Sequence, residues 1–320
     1  MPSYLFGGEN MDYKAFIDEQ IAEIKESVGN QIAMNALSGG VDSSVVSVLG
    51  HRAIGNRLKT VFIENGLMRQ GEPQRVLKIF SDMGIPIQII DAKREFLGAL
   101  KGLTDPEEKR NAITKTFYAT VFGRLVRETG AKYLLHGTIL TDIEETVAGI
   151  KRQHNILAQI GIDPEKEYGY QVLEPLKTLR KDGVREVAKL LGLPPEITQR
   201  IPFPGPALAT RIVGEVTEER LATVRAATAI VEEELSDTGA FQYMAILLSD
   251  RATGMVGGKR EFGQIIVVRC IHSVDARTAT PVELPWDKLK RICERITAIK
   301  DVNRCLYDLT PKPPATIEYI

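Results

Sequence analysis

The sequence predicts an α/β chain in which a doubly wound parallel sheet is followed by a smaller α+β domain. Residues 12–140 alternate short β-rich runs with amphipathic stretches of helical spacing, the pattern of βαβ units whose sheet is covered on both faces. A glycine-rich turn, Ser38-Gly39-Gly40-Val41-Asp42-Ser43-Ser44, stands between the first apolar run and the next helical stretch. Pro202-Phe203-Pro204-Gly205-Pro206 holds three prolines in five residues. It can be neither helix nor central strand, because proline fixes φ and removes the backbone donor, so a domain boundary is expected there.

In chain order, strands are expected at residues 32–37, 59–64, 87–91 and 133–136, and helices at 16–25, 43–54, 73–83 and 105–128. The last helix has a start signal in Thr104-Asp105-Pro106-Glu107, a cap followed by proline and an acid in the first turn. Over about 138–170 the periodicity fades into a polar, glycine-containing stretch, which reads as a mobile loop. A strand at 171–173 and a helix at 181–191 follow. Beyond the prolines, strands are expected at 211–216, 243–248, 264–272 and 304–309, with helices at 218–235 and 286–298. The expected organisation is a leader at 1–11, a nucleotide domain at 12–203 and an α+β domain at 204–320.

Lys and Arg number 41 against 42 Asp and Glu, a net charge of −1, and 43% of residues are hydrophobic. A large core is therefore possible, and no whole-molecule field attracts nucleic acid or an anionic membrane. No apolar run reaches the ~18–20 residues that span a bilayer, so a cytoplasmic enzyme is expected. Cys270, Cys293 and Cys305 show no C-x-x-C spacing, and His51, His136, His154 and His272 are far apart. The cysteines read as reduced, mostly buried thiols, and a structural zinc is not expected.

The 38–44 turn carries the sharpest chemical signal. Its glycines permit a tight turn and close approach to a ligand, its hydroxyls add donors, and the following helix offers free N–H groups at its positive end. Such a turn cradles phosphate. No lysine follows the glycines, which disfavours phosphoryl transfer of the Walker type.

The turn resembles the pyrophosphate-binding loop of the ATP pyrophosphatases, which have the adenine nucleotide alpha hydrolase-like fold. Four further strings resemble the GMP synthetase family in order and spacing: Phe62-Ile63-Glu64-Asn65-Gly66-Leu67-Met68-Arg69, Gly102-Leu103-Thr104-Asp105-Pro106-Glu107-Glu108-Lys109-Arg110, the proline string, and Lys312-Pro313-Pro314-Ala315-Thr316-Ile317-Glu318. The likeness spans about residues 12–319. The last string is specific to that family, whereas the 38–44 turn is shared with NAD synthetase and other relatives.

The resemblance implies ATP-dependent amination of xanthosine monophosphate at C2 through an adenylated carbonyl oxygen, giving GMP, AMP and pyrophosphate. It implies that Ser38, Gly39, Gly40, Val41, Asp42, Ser43 and Ser44 hold ATP, with Asp42 near Mg²⁺, and that Arg110 faces the nucleotide. Asp142, Glu145, Lys151, His154 and Asn155 fall on the family's lid motif, the first three as catalytic residues and the last two against substrate. Arg211, Gln242, Arg260, Lys312, Ile317 and Glu318 fall on positions associated with xanthosine monophosphate. The proline-stiffened tail ending in Ala-Thr-Ile-Glu is expected to form an ordered strand. A homodimer is implied. Residues 1–11 leave no room for a fused glutaminase, so ammonia is expected from a separate glutamine amidotransferase subunit or as free ammonium.

Several positions depart from the family pattern: Leu140-Thr141 before Asp142, Gln153, Ala207, Gly258 and Ile320. They leave two alternatives open, a diverged ATP pyrophosphatase that adenylates another small acceptor and a non-catalytic nucleotide-binding regulatory subunit.

Overall fold

The computed structural model of the chain describes residues 11–147, 169–274 and 276–320. It divides into two compact units, residues 1–64, 72–92 and 114–200 in the first and 65–71, 93–113 and 201–320 in the second.

Five parallel strands build the first unit: β1 (Ala33–Ala36), β2 (Leu58–Glu64), β3 (Ile87–Asp91), β4 (Tyr133–Leu135) and β5 (Gln171–Leu173), in the order β3-β2-β1-β4-β5. The order reverses between β1 and β4, and right-handed crossovers then place the connections of the two halves on opposite faces. Central strands are apolar and buried, while the edge strand β3 is largely exposed.

Helix α1 (Tyr13–Val28) starts where the Asp12 carboxylate accepts from the Lys14 and Ala15 amides at 2.9 and 3.1 Å. It packs with α2 (Val41–Ile54), whose buried residues include Val45, Val46, Val48 and Leu49. Next come α3 (Glu72–Asp82) and α4 (Lys93–Leu100), the second not anticipated from the sequence. Helix α5 (Pro106–Lys115) begins at Asp105, whose carboxylate accepts from the Glu107 and Glu108 amides at 2.9 Å each. The expected helix over 105–128 is interrupted by a π-helical turn at Thr116–Phe122 before α6 (Gly123–Thr129). Helix α7 (Leu140–Val147) corrects the loop expected from 138 onward. Asp142 accepts from the Ile139 amide at 3.1 Å at the helix start. The rest of the expected mobile stretch, residues 148–168, lies outside the described residues. Helices α8 (Lys181–Leu190) and α9 (Pro195–Thr198) complete the first unit, while α4 and most of α5 belong to the second.

The second unit is an α+β fold on a long antiparallel hairpin, β6 (Gln242–Val256) and β7 (Lys259–His272), turned at Gly257 and Gly258 with φ of 56° and 80°. Two glycines at positive φ suit a tight hairpin turn, and both strands run to that turn, further than the sequence suggests. Strand β8 (Thr280–Pro281) pairs with the end of β7, and β9 (Val302–Tyr307) runs parallel to β7. Helix α10 (Glu218–Leu235) packs on the sheet through Leu221, Val224, Ala227, Val231 and Leu235, and α11 (Trp286–Thr297) packs through Ile292 and Ile296. The tail after Tyr307 is ordered but forms no strand beyond a bridge between Lys312 and Ala279. Cys270 is buried and Cys305 partly so, whereas Cys293 is exposed on α11, contrary to the mostly buried reading. Among the described residues no helix is long and apolar enough to cross a membrane.

The strand expected at 211–216 is replaced by a 3-10 turn, Ala207–Arg211, and a single bridge from Ile212 to Leu247. Cations take the carbonyls that a ladder needs. The Lys109 ammonium donates to Ile212 O at 2.7 Å, Gly214 O at 3.1 Å and Ala209 O at 3.4 Å. Arg220 donates to Val213 O at 2.8 Å and Glu215 O at 2.6 Å. Lys109 is 2% exposed, which explains why residues 93–113 pack with the second unit.

Burial, with the Arg220 and Arg110 charges behind it, pushes the Lys109 ammonium down to about 8. Between about 8 and its ordinary value the unfolded chain binds more protons, so stability rises with pH across that window. We predict that Lys109→Met destabilises the protein by about 1–3 kcal/mol near neutral pH, because buried carbonyls lose their donor. Denaturant titrations from pH 7 to 11 should also show that the variant lacks the stability increment gained by the natural protein above pH 8. Equal stability and parallel pH curves would contradict this role.

Candidate active site

The 38–44 turn lies at the carboxyl end of β1, at the point where strand order reverses and open α/β sheets bind ligands. Gly40 caps α2 with extended backbone and makes no side-chain cap bond. A serine or aspartate cap would consume the first amides of the helix; here the first intrahelical bond is Ser44 N–H to Gly40 O at 3.1 Å. The amides of Val41, Asp42 and Ser43 therefore point out of the helix end, with the partial positive charge of the dipole behind them.

The turn holds its own shape. Ser38 Oγ and Ser43 Oγ are 2.9 Å apart, the Ser38 amide donates to Ser43 Oγ at 3.1 Å, and Gly40 N–H donates to Ser38 Oγ at 3.3 Å. Gly39 has φ of 75°, and a Cβ there would lie 2.8 Å from Arg200 Nη1 and 3.0 Å from Val76 Cγ2. Only glycine fits. Arg200 donates to Gly39 O and pairs with buried Glu72, fixing the outer side of the turn. Beneath it, buried Asn35 donates from Nδ2 to Leu135 O at 2.9 Å and accepts from Ser47 of α2, tying β1, β4 and α2 together. A Cβ on Gly137 would sit 3.2 Å from the Ser43 amide nitrogen, so the chain leaving β4 passes directly against the helix end.

Asp42 Oδ2 accepts from Lys181 Nζ at 2.6 Å, while Asp42 Oδ1 is buried with no hydrogen-bond partner. The sequence reading missed Lys181, Arg200 and Glu72. Lys181 had a signal: a cation in the first turn of α8 opposes the helix dipole, and a locally unfavourable residue marks a job elsewhere. Nearby, Tyr118 Oη, His136, Thr138 and Glu174 form a chain, with His136 Nδ1 2.7 Å from Thr138 Oγ1 and Thr138 donating to Glu174 at 2.6 Å. Burial pushes the Tyr118 hydroxyl up to about 12.

Of the lid residues, Asp142 sits at the start of α7 and Glu145 lies in that helix. Lys151, His154 and Asn155 lie outside the described residues. Arg180 pairs with Glu144 of α7 at 2.5 Å.

The second unit brings Arg211, Gln242 and Glu318 together. Arg211, 1% exposed, donates to the Glu318 carboxylate at 3.4 and 3.5 Å, and Gln242 Nε2 donates to the same carboxylate and to Pro202 O at 3.3 Å. The Arg211 guanidinium lies 4.8 Å from the Phe203 ring centre and that of Arg69 lies 4.2 Å from it, both at cation–π distance. Ala207 takes φ of 55° in the turn leading to Arg211, a left-handed conformation that glycine adopts without strain. Ile317 precedes Glu318 on the tail, and Lys312 Nζ donates to Ala276 O at 2.8 Å. Arg260 does not join them. It pairs with Met255 near the hairpin tip whereas Gln242 pairs with Ile271 at the base, and eleven residues of strand at about 3.3 Å each put roughly 35 Å between the two levels. Arg110 belongs to the second unit and pairs with Glu107.

Family models match both parts of the chain: a NAD synthase model over residues 12–124 and the GMP synthase C terminal domain over residues 229–319. The chain is 52% identical over 310 residues to one subunit of the glutamine-hydrolyzing GMP synthase of Archaeoglobus fulgidus, covering 97% of this chain and 100% of that one. It is 48% identical over 313 residues to the subunit of the same name from Pyrococcus horikoshii, with 97% and 100% covered, and 49% identical over 314 residues to that from Methanocaldococcus jannaschii, with 96% and 99% covered. With half of all positions identical across essentially the full length of each relative, the chain belongs to the same family of GMP synthase subunits as these three proteins.

Proposed function

We propose that this chain is the synthetase half of a two-subunit GMP synthase, a ligase that aminates xanthosine monophosphate at C2 with conversion of ATP to AMP and pyrophosphate. The observation that carries the reading is the glycine-capped end of α2, where three outward amides, the Ser38 and Ser43 hydroxyls and Asp42 converge at the switch point of the sheet. Such an end stabilises the pyrophosphate that leaves when the C2 carbonyl oxygen attacks the α-phosphorus, because charge develops toward fixed donors. Ammonia then adds at C2 and AMP departs. Ser38, Gly39, Gly40, Val41, Asp42, Ser43 and Ser44 hold the phosphates in this reading, and Arg110 serves the nucleotide.

Asp42 fits a divalent cation: its Oδ1 is a buried carboxylate oxygen without a hydrogen-bond partner in the protein. Mg²⁺ takes one or two carboxylates together with substrate phosphates, and supplies positive charge against pyrophosphate when bound. Lys181, on the other carboxylate oxygen, orients Asp42.

We read residues 12–203 as the ATP domain, with a lid over about 138–170 in which Asp142, Glu145 and Lys151 act on the reacting groups and His154 and Asn155 meet the acceptor. Residues 204–320 form the acceptor and dimerisation domain. Arg211, Gln242 and Glu318 receive the acceptor nucleotide together with Lys312 and Ile317. The position of Arg260, roughly 35 Å along the hairpin, supports a homodimer in which Arg260 serves the site of a second copy. The relatives are named as one subunit of a glutamine-hydrolyzing enzyme, which supports a separate glutamine amidotransferase partner delivering ammonia. Neither nucleic acid nor membrane takes part, and the cytoplasm is the proposed location. The relatives' shared name disfavours both alternatives, another acceptor and a non-catalytic subunit.

Product analysis tests the reading. With ATP, Mg²⁺, ammonium and xanthosine monophosphate the protein should form GMP, AMP and pyrophosphate in equal amounts, and glutamine should replace ammonium only when the partner subunit is added. GMP from glutamine with this chain alone, or no GMP from ammonium, would contradict it. Asp42→Ala should lower pyrophosphate release about 100-fold or more with an unchanged circular dichroism spectrum, since a carboxylate aimed at developing phosphate charge contributes several kcal/mol to the transition state and little to the core. Turnover close to that of the natural protein at saturating Mg²⁺ would remove Asp42 from the machinery.

A further inference from the structure

We infer that Arg269 is the positioning residue of the acceptor site: its guanidinium clamps both ends of the 308–318 tail and thereby sets Lys312, Ile317 and Glu318, an assignment that rests on the proposed function. Arg269 stands inside the apolar run Ile265-Ile266-Val267-Val268-Arg269-Cys270-Ile271 of β7 and is 1% exposed. A cation that deep is tolerated only with its donors satisfied. Its Nη1 donates to Asp308 Oδ2 at 2.6 Å and to Thr310 O at 2.8 Å, at the start of the tail. Its Nη2 donates to Thr316 O at 2.9 Å and its Nε to Ile317 O at 3.4 Å, at the end.

Other links are backbone or local: Asp308 N–H donates to Val268 O at 2.9 Å, Thr310 N–H to Asp308 Oδ1 at 2.9 Å and Ala315 N–H to Pro311 O at 3.0 Å, and the Thr316 hydroxyl donates to Glu318 O. Leu309, Thr310, Pro311, Pro313, Pro314 and Thr316 are exposed, so apolar burial contributes little. Further support comes from the backbone bridge between Lys312 and Ala279, the Lys312 ammonium on Ala276 O, and the Glu318 cluster itself. Burial works to raise the Asp308 carboxyl, but hydrogen bonds from Thr310 and the Arg269 charge overcome it and hold the group below its usual range, so the pair is charged at neutral pH. Glu318 directly follows the clamped Ile317, and its carboxylate receives Arg211 and Gln242. Arg269 acts through the tail. A lysine would keep the charge but not the planar fork that reaches acceptors on both sides.

Steady-state kinetics and hydrogen exchange on Arg269→Lys in the full chain test this. The KM for xanthosine monophosphate should rise about tenfold or more, while kcat at saturating acceptor stays within about threefold and the KM for ATP is unchanged, the pattern of lost binding rather than lost chemistry. Amide exchange over residues 308–318 should accelerate about tenfold or more, with the 38–44 amides unaffected. Asp308→Asn should move the same readouts in the same direction by less. An unchanged acceptor KM, a parallel rise in both KM values, or unchanged tail exchange would overturn the assignment. If the unaltered protein forms no GMP, the functional reading fails on that control, and the exchange measurement, which needs no substrate, still decides whether Arg269 clamps the tail.

Discussion

The first unit depends on one constraint: the amino end of α2 must be presented bare at the end of β1. A helix end with unspent amides attracts anions, but it is also an end that nothing caps locally. The surrounding structure supplies the missing order. Asn35 locks α2 to β1 and β4 from below, Arg200 grips the Gly39 carbonyl from outside, and Gly137 lets the β4 connection close against the helix end without a side chain between them. Each of these contacts is made within the protein itself, the kind of preorganisation that the proposed electrostatic role requires.

The second unit solves a different problem with related means. Its irregular segments, the turn around residues 207–215 and the tail, form almost no ladder, and buried cations hold their carbonyls in place. Lys109 gathers the carbonyls of residues 209–214, Arg220 those of 213 and 215, and Arg269 those of 310, 316 and 317. Irregular backbone ordered by side-chain donors can place polar groups where a strand, with its alternating faces, would aim half of them away.

Much of this was legible in the sequence because period and punctuation are local. The parallel strands, the helices at 13–28 and 218–235 and the glycine-rich turn at 38–44 follow from spacing, caps and glycines. The misses are places where long-range contacts overrule local pattern. Residues 211–216 read as a strand, yet cations from residues 109 and 220 take the carbonyls. The hairpin is longer than expected because Gly257 and Gly258 read as a substituted motif rather than as a turn. Arg269 and Lys181 were visible as anomalies, a charge in an apolar strand and a cation at a helix start, but their partners lie 39 or more residues away in sequence. Of the residues that the resemblance groups, Arg211, Gln242 and Glu318 lie together, whereas the hairpin register holds Arg260 far from them.

The central claim is that the amides at the start of α2 receive pyrophosphate. Amide-resolved NMR of the isotopically labelled protein titrated with pyrophosphate and Mg²⁺ tests it most directly. The account predicts saturable shifts centred on the amides of Gly39 to Ser44, with smaller changes at Lys181 and Gly137 and none along the β6–β7 hairpin. Saturable binding whose shifts fall outside that turn, or a turn that stays unperturbed at saturating pyrophosphate, would contradict it.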